Sequence, residues 1–338
     1  MQILSDISLK PYNTFGIEAC AKLFTVLHSA AEAQELLQHP LYKSNRRLIL
    51  GGGSNILLTR DPDALVIKNN LKGITLVSET DDTVLVKCAA GEVWHDFVMH
   101  CIRQGYAGLE NLSLIPGNTG ASPMQNIGAY GVEIKDTCHE VEALDLETGD
   151  MVLFSNADCE FGYRESVFKH RHKDRFMILS VTFRLSKKPV FHTTYGAITQ
   201  ELDKMGVSTL SISAISQAVI NIRSSKLPDP KKIGNSGSFF KNPEVPASVH
   251  ASLLREFPGL VAYPLDNGNY KLAAGWLIEQ SGLKGHRSGD AGVHALQALV
   301  LVNYGKATGQ EIYDLSTKVV DTVEQKFGVR LEREVNII

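Results

Sequence analysis

The segment Ile115–Gly131 reads IPGNTGASPMQNIGAYG and holds four glycines and two prolines within 17 residues. No apolar period of a helix or a strand runs through it. Glycines allow tight turns and let backbone N–H groups approach an anion closely. The segment is therefore predicted to be a fixed loop around a ligand, and a cofactor that carries a pyrophosphate is the natural candidate.

A second glycine cluster, Gly51–Asn55, reads GGGSN between two apolar runs, Leu48–Leu50 and Ile56–Leu58. Considered alone, it is explained equally well by a tight turn and by a ligand loop, because glycine favours turns in general. Neither cluster contains G-x-x-x-x-G-K-[ST], and neither places G-x-G-x-x-G between a strand and a helix. P-loop NTPases and Rossmann dehydrogenases are therefore disfavoured.

The composition of the 338-residue chain is that of an ordinary globular protein, with 43% hydrophobic and 21% charged residues. No stretch approaches the roughly 20 uncharged apolar residues that span a bilayer, and the start lacks the basic and apolar blocks of a signal peptide. The net charge of -3 gives no general attraction for nucleic acid or anionic membranes. We expect a cytoplasmic monomer without a nucleic-acid or membrane partner.

Metal and disulfide chemistry find no support in the sequence. The five cysteines are widely spaced and form no C-x-x-C pair, so buried free thiols are expected. No metal site is predicted, because His95, His100, His286 and His294 lack metal-binding spacing. The basic run Lys169–Arg175 has no interleaved aromatic residues and is expected to be a solvated loop.

Hydrophobic periodicity and turn residues predict three domains. Residues 1–68 read as a small α/β unit with a strand at Ala21–Leu27, a helix opened by the capping box Ser29–Glu32, and a glycine hairpin at the GGGSN cluster. A second domain covers 69–210. Its predicted elements are strands near 74–77, 83–89 and 176–185, a helix from Val93 that stops at Gly105, and a hairpin that turns at 147–150.

Residues 211–328 are predicted to be a third, mainly helical domain. The predicted helices lie at 213–224, 247–257, 272–281 and 309–327. The last of them carries apolar residues on one face and stops at Gly328. Residues 329–338 alternate apolar and polar side chains, which predicts a strand with one polar face.

Several segments resemble, in the same order, those of the UDP-N-acetylenolpyruvoylglucosamine reductase family, FAD enzymes of bacterial peptidoglycan synthesis. They are the two glycine clusters together with Asn13–Gly16, Phe161–Ser166, Gly234–Pro243, Ala273–Ile278 and Leu331–Val335. The resemblance spans nearly the whole chain, which makes it far more specific than any single motif. Thr193–Gly196 is similar to the tyrosine-bearing loop of the type I branch, which reaches over the bound nucleotide.

The resemblance implies an α+β fold of the vanillyl-alcohol-oxidase type. Two α+β domains, here 1–68 and 69–210, would hold FAD, and a third α+β domain, 211–328, would bind the substrate. The C-terminal strand 329–338 would return to the active site. The implied reaction has two halves, in which NADPH reduces FAD and FAD then passes hydride from N5 to the C3 carbon of UDP-N-acetylglucosamine enolpyruvate. The product is UDP-N-acetylmuramate.

Three residues match the family's catalytic positions. Hydride addition to an enol ether is difficult unless the adjacent carboxylate accepts charge as an enolate, so cationic or hydrogen-bonding groups are needed there. The resemblance assigns this role to Arg164, whose planar guanidinium can bind both carboxylate oxygens and stays charged. Ser238 matches the general acid that protonates the enol, a role that needs stabilisation of the resulting alkoxide. Glu334 matches a third catalytic position and is expected to orient Arg164.

The same resemblance implies two sets of binding residues. The predicted cofactor-binding residues are Gly51, Gly52, Gly53, Ser54, Asn55, Ile115, Pro116, Gly117, Gly120, Ala121, Pro123, Gln125, Asn126, Gly128, Ala129 and Gly131. A UDP pyrophosphate calls for cations and hydroxyl donors. The predicted substrate-binding residues are Tyr130, Tyr163, Arg164, Tyr195, Lys226, Asn242, Tyr263 and Gln280. Any one of these substrate positions is also compatible with a structural role.

Two other functions stay open, because a fold does not determine chemistry. A different FAD-dependent oxidoreductase of the same fold would have no use for the Ser238 loop or for Tyr195. A nucleotide-sugar-binding protein that has lost redox activity would be colourless when purified. A visible spectrum, followed by titration with NADPH and the enolpyruvyl sugar, separates these functions.

Overall fold

Twenty strands and eight α-helices follow one another along the chain, and the computed structural model describes residues 1–338. The strands are β1 Ile3–Ser8, β2 Cys20–Leu27, β3 Arg47–Leu50, β4 Ile56–Leu57, β5 Leu65–Asn69, β6 Ile74–Glu79, β7 Thr83–Ala89, β8 Gly128–Ala129, β9 Val132–Glu133, β10 Cys138–Asp145, β11 Met151–Ser155, β12 Phe176–Ser186, β13 Gly234–Ser238, β14 Glu244–Val245, β15 Ala262–Pro264, β16 Tyr270–Leu272, β17 Arg287–Ser288, β18 Ala291–Val293, β19 Val300–Asn303 and β20 Asn336–Ile337. The helices are α1 Ala30–Gln38, α2 Pro40–Ser44, α3 Trp94–Arg103, α4 Ile198–Lys204, α5 Ile212–Lys226, α6 Ala247–Glu256, α7 Ala274–Gln280 and α8 Gly309–Phe327. None of these helices is both long enough and apolar enough to cross a lipid bilayer.

Local capping residues set several helix ends, and those at Ser29 and Gly328 were predicted. The Ser29 hydroxyl oxygen accepts a 3.1 Å hydrogen bond from the N–H of Glu32, and α1 begins between them. Thr308 caps α8 in the same way. Gly328, with φ 65°, ends α8 in the left-handed conformation that glycine adopts without strain.

The chain forms two compact units. The first unit comprises Met1–Ile7, Ala21–Gly53 and Pro62–Ser225, and the second unit comprises Ser8–Cys20, Ser54–Asp61 and Lys226–Ile338. The predicted domain boundaries at residues 68, 210 and 328 stay predictions.

The first unit contains two main sheets. One has the order β1-β2-β5-β3, and its strand β5 runs parallel to both β2 and β3. The other has the order β11-β10-β12-β7-β6 and is antiparallel. Helix α3 buries Trp94 and Phe97 against Phe183 of β12, with ring centroids 5.8 and 5.1 Å away. The Trp94 Nε1–H also donates a 2.9 Å hydrogen bond to the carbonyl oxygen of Leu112, which fixes the chain just before the Ile115–Gly131 loop.

The second unit is built around a four-stranded sheet with the order β13-β19-β18-β17. Helix α8 buries the face that its sequence period predicts, through Ile312, Leu315, Val319 and Val323. Smaller sheets with the orders β14-β16-β15 and β20-β4 complete the unit.

The hairpin predicted at the GGGSN cluster is wrong. The runs around the GGGSN cluster do not form a hairpin, because β3 pairs in parallel with β5 and β4 pairs in parallel with β20. In residues 211–328 helices account for most of the regular structure, as predicted, but seven short strands, β13 to β19, lie among them and were not predicted. These strands have two to five residues, which is too short for a period of two to stand out in the sequence.

The regular strand predicted over 329–338 is also wrong in extent, because only Asn336–Ile337 form a strand. The side chain of Arg333 explains part of the reason why residues 329–335 do not form a regular strand. Its Nε and Nη2 groups donate 2.8 Å hydrogen bonds to the hydroxyl oxygens of Ser316 and Thr317 on α8. This attachment to α8 holds the segment locally, while only an isolated bridge joins Arg333 to Phe240.

Candidate active site

A cavity of about 750 Å³ opens within the first unit. Glycine backbone and apolar side chains share its lining, which includes Gly51, Gly120, Ala121, Met124, Phe168 and Met177. Three basic residues, Lys43, Arg46 and Arg47, also line it. A cavity of this size with these groups suits a large ligand that combines aromatic rings with phosphates.

The short cluster Gly51–Gly53 packs against the longer glycine loop. The ammonium group of Lys68 donates a hydrogen bond to the carbonyl oxygen of Gly51, and burial lowers the pKa of Lys68. A Cβ atom on Gly52 would lie 2.8 Å from both Asn118 Oδ1 and Gly117 Cα, so only glycine permits this approach. The first unit thus brings the two glycine segments together.

The Ile115–Gly131 loop has a fixed, turn-rich conformation. The N–H of Thr119 donates a 2.8 Å hydrogen bond to the carbonyl oxygen of Glu92, and the N–H of Gly120 donates a 2.9 Å bond to that of Ala90. A Cβ atom on Gly120 would lie 2.5 Å from the Cβ atom of Ala90. Two other residues, Asn126 with φ 45° and Tyr130 with φ 50°, adopt the left-handed conformation, which costs energy outside glycine.

Asn126 stabilises this loop from inside. Its Nδ2 group donates hydrogen bonds of 3.1 Å to Glu133 Oε2 and 2.9 Å to the carbonyl oxygen of Gly162. Its Oδ1 atom accepts a 2.9 Å hydrogen bond from the N–H of Lys135. The buried Asn126 side chain already forms hydrogen bonds with these three partners. We therefore expect Asn126 to contribute to cofactor binding through its backbone and through the shape of the loop.

Ser122 is a loop residue that the predicted set lacks. Its side chain is 1% exposed, and its hydroxyl oxygen has no hydrogen-bond partner in the protein. Leaving such a group unsatisfied costs about 1–3 kcal/mol, so a further polar partner is expected there. Serine is so common in loops that the sequence alone offered no signal for this position.

These features of the first unit fit FAD. The glycine segments allow close approach of backbone groups to a pyrophosphate. Lys43, Arg46 and Arg47 supply positive charge, and the apolar part of the lining suits a planar ring. Ser122 adds a buried hydroxyl that needs a partner. Ser54 and Asn55, the last two residues of the short cluster, belong to the second unit.

Arg164 lies at the tip of a tight turn in the first unit. Gly162 and Glu165 pair across the turn, with a 3.0 Å hydrogen bond from the N–H of Gly162, and Arg164 has φ 57°. The Nη2 group of Arg164 donates a 2.9 Å hydrogen bond to the carbonyl oxygen of Gly128. Its guanidinium carbon lies 5.4 Å from the ring centroid of Tyr163. The structure therefore brings Tyr163 and Arg164 to the Gly128 end of the Ile115–Gly131 loop.

Tyr195 reaches the same end of the loop. A Cβ atom on Gly131 would lie 3.4 Å from the Cβ atom of Tyr195, and one on Gly196 would lie 3.6 Å from Cδ1 of Tyr130. Tyr195 thus packs beside Gly131, which follows Tyr130 in the chain. Tyr130 in turn packs beside Gly196, which follows Tyr195. Tyr195 remains 52% exposed, whereas burial raises the pKa of Tyr130. The first unit therefore gathers four of the predicted substrate residues, Tyr130, Tyr163, Arg164 and Tyr195.

Ser238 ends β13 in the second unit, directly after an irregularity in the pairing of β13 with β19. Gly237, with φ 71°, precedes it, and the N–H of Gly237 bonds to Oδ1 of Asn235 at 3.0 Å. Such bulges redirect side chains, and the Ser238 side chain is exposed while its neighbours Ser236 and Phe239 are buried. The geometry leaves the Ser238 hydroxyl accessible to a ligand.

Glu334 lies beside the Ser238 segment. Its N–H donates a 2.8 Å hydrogen bond to the carbonyl oxygen of Phe239. Its own carbonyl oxygen accepts a 3.3 Å bond from Nδ2 of Asn55, and Asn336 holds the carbonyl oxygen of Asn55 through bonds from its N–H and its Nδ2 group. The second unit thus brings Ser238 and Glu334 to neighbouring segments, while Arg164 belongs to the first unit.

The remaining predicted substrate residues lie apart along the second unit. Asn242 uses Oδ1 to accept a 2.9 Å hydrogen bond from the N–H of Ala274, where α7 begins. Lys226 is exposed at the end of α5, Tyr263 is 46% exposed on β15, and Gln280 is exposed at the end of α7. Their exposure is compatible with ligand contact, and their roles stay predictions.

Comparison with known proteins identifies related domains and a related fold. A sequence profile described as "FAD binding domain" matches residues 21–155, and one described as "UDP-N-acetylenolpyruvoylglucosamine reductase, C-terminal domain" matches 229–338. A crystal structure of UDP-N-acetylenolpyruvylglucosamine reductase from Thermus caldophilus superimposes with a TM-score of 0.69 at 22% identity, over 99% of this chain and 98% of that one. The predicted α+β, FAD-binding fold is confirmed.

Two relatives are similar over their full length. The UDP-N-acetylenolpyruvoylglucosamine reductase of Chromobacterium violaceum is 54% identical, over 100% of this chain and 99% of its own. That of Flavobacterium johnsoniae is 53% identical, over 100% of both chains. This degree of identity over the full length shows that the chain belongs to the UDP-N-acetylenolpyruvoylglucosamine reductase family.

Proposed function

We propose that this protein is an FAD-containing, NADPH-dependent reductase that converts UDP-N-acetylglucosamine enolpyruvate to UDP-N-acetylmuramate. The observation that carries the proposal is the 54% identity, over 100% of this chain and 99% of the relative, to a protein with that reductase name. The cavity with its two glycine segments supports the same function, because it fits the cofactor that such a reaction needs.

Bound FAD would supply the hydride-transfer chemistry between NADPH and the enolpyruvyl C3 carbon that side chains lack. The protein's own part is to bind, orient and protonate the substrate. Arg164 is proposed to hold the enolpyruvyl carboxylate and to stabilise the negative charge that develops next to it. Its bond to the carbonyl oxygen of Gly128 fixes the guanidinium against the cofactor loop and supports this role.

Ser238 is proposed to donate the proton to the second carbon of the enol. A serine hydroxyl is a weak acid, so this step needs a negatively charged reaction partner and a network that stabilises the alkoxide. The exposed position of Ser238 after the Gly237 bulge supports access to the substrate. Glu334 is proposed to shape the charge around the same centre, a role that agrees with its place beside the Ser238 segment.

The UDP portion is proposed to bind to cationic and hydroxyl groups. Lys226 and Tyr195 are exposed and can reach a ligand, and the Nδ2 group of Asn242 offers a donor while its Oδ1 atom holds α7. Tyr130, Tyr163, Tyr263 and Gln280 complete the proposed set. Each of these side chains can donate a hydrogen bond to a phosphate or ribose oxygen.

The decisive experiment is a visible spectrum of the purified protein, followed by anaerobic titration with NADPH and then with the enolpyruvyl sugar. A flavin spectrum that bleaches with NADPH and returns with the sugar is expected. A colourless protein that still binds the sugar would instead indicate a redox-inactive nucleotide-sugar-binding protein. Bleaching without recovery would indicate a different FAD-dependent oxidoreductase.

The proposed product places the protein in peptidoglycan precursor synthesis, and therefore in cell-wall formation, cell shape and cell division. The nucleotide substrate and NADPH agree with action in the cytoplasm. That the protein works there as a monomer, without nucleic-acid or membrane partners, stays a prediction.

A further inference from the structure

A second cavity, of about 460 Å³, opens in the first unit beside the end of the Ile115–Gly131 loop. Its wall is formed by residues of the segment 107–111, by Gly131 and its neighbours, and by the end of β12 and the chain that follows it. It shares no residue with the cavity assigned to FAD. Of the residues in its wall, the proposed function uses only Gly131.

Glu110 places a buried carboxylate in the wall of this second cavity. The residue is 2% exposed. Its Oε2 atom accepts a 2.7 Å hydrogen bond from the N–H of Gly108, and no other hydrogen bond or ion pair of the protein reaches the carboxylate. A buried carboxylate with a single donor is unfavourable. A ligand that brings a positive charge and N–H donors would stabilise it.

Arg184 on β12 adds an exposed cation to the same wall. Its Nη2 group donates a 3.0 Å hydrogen bond to Nδ1 of His139, and no carboxylate lies within ion-pair distance of its guanidinium. Two residues later, Ser186 pairs with Ala107 through backbone hydrogen bonds of 2.8 and 3.0 Å. The strand of Arg184 therefore runs beside the segment that carries Glu110, and the cavity combines a buried carboxylate with an exposed guanidinium.

Simple ions fit this wall poorly. No group of three or more His, Cys, Asp or Glu side chains is placed to hold a metal ion. A phosphate or another purely anionic ligand would bring its charge against the buried carboxylate of Glu110. The volume instead lies within the range of roughly 300–1,000 Å³ that is typical of small-molecule pockets. An organic ligand that carries both an ammonium group and a carboxylate satisfies Glu110 and Arg184 together.

We propose that this second cavity binds a free α-amino acid, whose ammonium group contacts Glu110 and whose carboxylate contacts Arg184. Both contacts are charge-assisted hydrogen bonds, which are stronger than those between neutral groups, and a guanidinium can hold a carboxylate through two parallel bonds. The exposed residues Asp136 and His192 complete the rim. The binding site goes beyond the proposed function, because it requires neither FAD nor a UDP sugar.

Asn111 connects the second cavity to the proposed substrate residues. It is 1% exposed, and its Nδ2 group donates hydrogen bonds of 3.0 Å to the carbonyl oxygen of Tyr130 and 2.8 Å to that of His192. His192 lies three residues before Tyr195. An amino acid bound beside Asn111 is therefore expected to change the KM for the enolpyruvyl sugar. This coupling, unlike the binding itself, rests on the proposed function.

The test is a ligand-observed NMR titration of the protein as purified, with glycine, L-alanine and L-valine as zwitterions of increasing size. At least one of them is expected to bind with a Kd in the millimolar range or below. For the tightest of the three, the N-acetyl derivative lacks the ammonium group and should not bind. The corresponding amide lacks the carboxylate and should bind more weakly than the free amino acid.

Two variants assign the contacts. Glu110→Gln keeps an acceptor for the N–H of Gly108 but removes the charge, so the Kd of the amino acid should rise roughly tenfold or more. Arg184→Gln should weaken the free amino acid and leave the amide unchanged. Because Arg184 is exposed, this variant carries the test if Glu110→Gln does not fold. Glu35→Gln, on the exposed face of α1, is the matched control and should change neither Kd.

The outcomes separate this inference from the proposed function. A Kd above about 10 mM for all three amino acids, or equal binding of the N-acetyl derivative, would overturn the site. An unchanged Kd in Glu110→Gln and in Arg184→Gln would do the same. A KM for the enolpyruvyl sugar that saturating amino acid leaves unchanged would overturn the coupling alone. A protein that binds the amino acid but neither holds flavin nor reduces the sugar would overturn the proposed function and leave the site in place.

Discussion

The backbone N–H of Glu334 donates a 2.8 Å hydrogen bond to the carbonyl oxygen of Phe239, the residue that follows Ser238. The pairing continues through an isolated bridge between Phe240 and Arg333 and a 2.9 Å bond from the N–H of Lys241 to the carbonyl oxygen of Glu332. The two predicted catalytic residues of the second unit are therefore related through paired main chain. The distance between Ser238 and Glu334 is therefore set mainly by this backbone pairing and less by the flexibility of long side chains.

Replacing Ser238 by alanine is expected to affect only one half-reaction. The proton is needed when the enolpyruvyl sugar is reduced, whereas NADPH reduces FAD without it. Because general acids contribute roughly 10²–10⁴-fold to rates, reoxidation of the flavin by the sugar should slow by about that factor. Stopped-flow absorbance of the flavin, recorded separately for each half-reaction, measures the effect.

Ser236→Ala on the same strand is the control for local damage. The Ser236 hydroxyl donates a 3.2 Å hydrogen bond to the carbonyl oxygen of Ile56, so its loss should lower the free energy of unfolding by about 1 kcal/mol. Neither half-reaction should change selectively. Equal slowing of both phases in Ser238→Ala would refute the assignment of Ser238 as proton donor.

Arg164→Lys is expected to impair turnover although the positive charge is retained. Lysine cannot bind both oxygens of a carboxylate in a fork, and it would not reproduce the bond from Nη2 to the carbonyl oxygen of Gly128. Losing a hydrogen bond to a charged group costs about 1.5–3 kcal/mol, so kcat/KM should fall roughly 10- to 100-fold. Steady-state kinetics at matched FAD content provide the measurement.

Arg171→Lys is the corresponding control. Arg171 lies seven residues further on, is exposed, and pairs with Glu160 at 2.8 Å. An exposed ion pair of this kind contributes little, so kcat/KM should remain at the wild-type value. If Arg164→Lys turned over equally well, Arg164 would have no place in the mechanism.

The parts of the fold that the sequence predicted are those decided by neighbouring residues. The Ser29 cap places the start of α1, Gly105 with φ 76° follows the end of α3, and Gly328 ends α8. The apolar period of α8 identified its buried face. In each case, the deciding atoms lie within about one helical turn of each other, so the local pattern is sufficient.

The parts that failed depend on partners far away in sequence. Strand β4 pairs in parallel with β20, about 280 residues later, and nothing near the GGGSN cluster indicates that partner. Ser122 was missed because its significance lies in its three-dimensional surroundings, which leave a buried hydroxyl without a hydrogen-bond partner in the protein. The family resemblance named Arg164, Ser238 and Glu334, and their catalytic roles stay predictions.

Two neighbouring glycines separate the effects of protein packing from those of cofactor binding. A Cβ atom on Gly51 meets no protein atom within 4 Å, whereas one on Gly52 meets Asn118 and Gly117 at 2.8 Å. Gly51→Ala should therefore keep the thermal stability of the apoprotein and weaken FAD binding, because Gly51 lines the cavity. Gly52→Ala should lower both, and thermal denaturation with fluorescence titration of FAD measures the two quantities.

Gly259→Ala is the control, since its added Cβ would only touch Trp276 at 4.0 Å in the second unit. Both quantities should stay at their wild-type values. If Gly51→Ala bound FAD with unchanged affinity, the cavity beside Gly51 would not be the cofactor site.

We expect the start of the Ile115–Gly131 loop to be sensitive to pH through His95. Its Nδ1 atom accepts the hydrogen bond from the N–H of Leu114 only while the imidazole is neutral, and burial lowers its pKa. As pH falls, the unfolded chain therefore takes up this proton before the folded protein does. The stability from this group is complete above the unfolded pKa of about 6.5 and is lost as pH falls from there through the lowered pKa.

Substituting His95 by glutamine keeps a hydrogen-bond acceptor that does not titrate. The decrease in unfolding free energy between pH 7.5 and 5.5, measured by urea denaturation, should therefore be smaller in His95→Gln than in the wild type. His100→Gln on the same helix should keep the wild-type decrease. His294, whose pKa burial also lowers, contributes to the decrease that remains. If His95→Gln and the wild type lost the same unfolding free energy between pH 7.5 and 5.5, the contact with Leu114 would not depend on a neutral imidazole. Only a side chain that titrates can make that contact depend on pH.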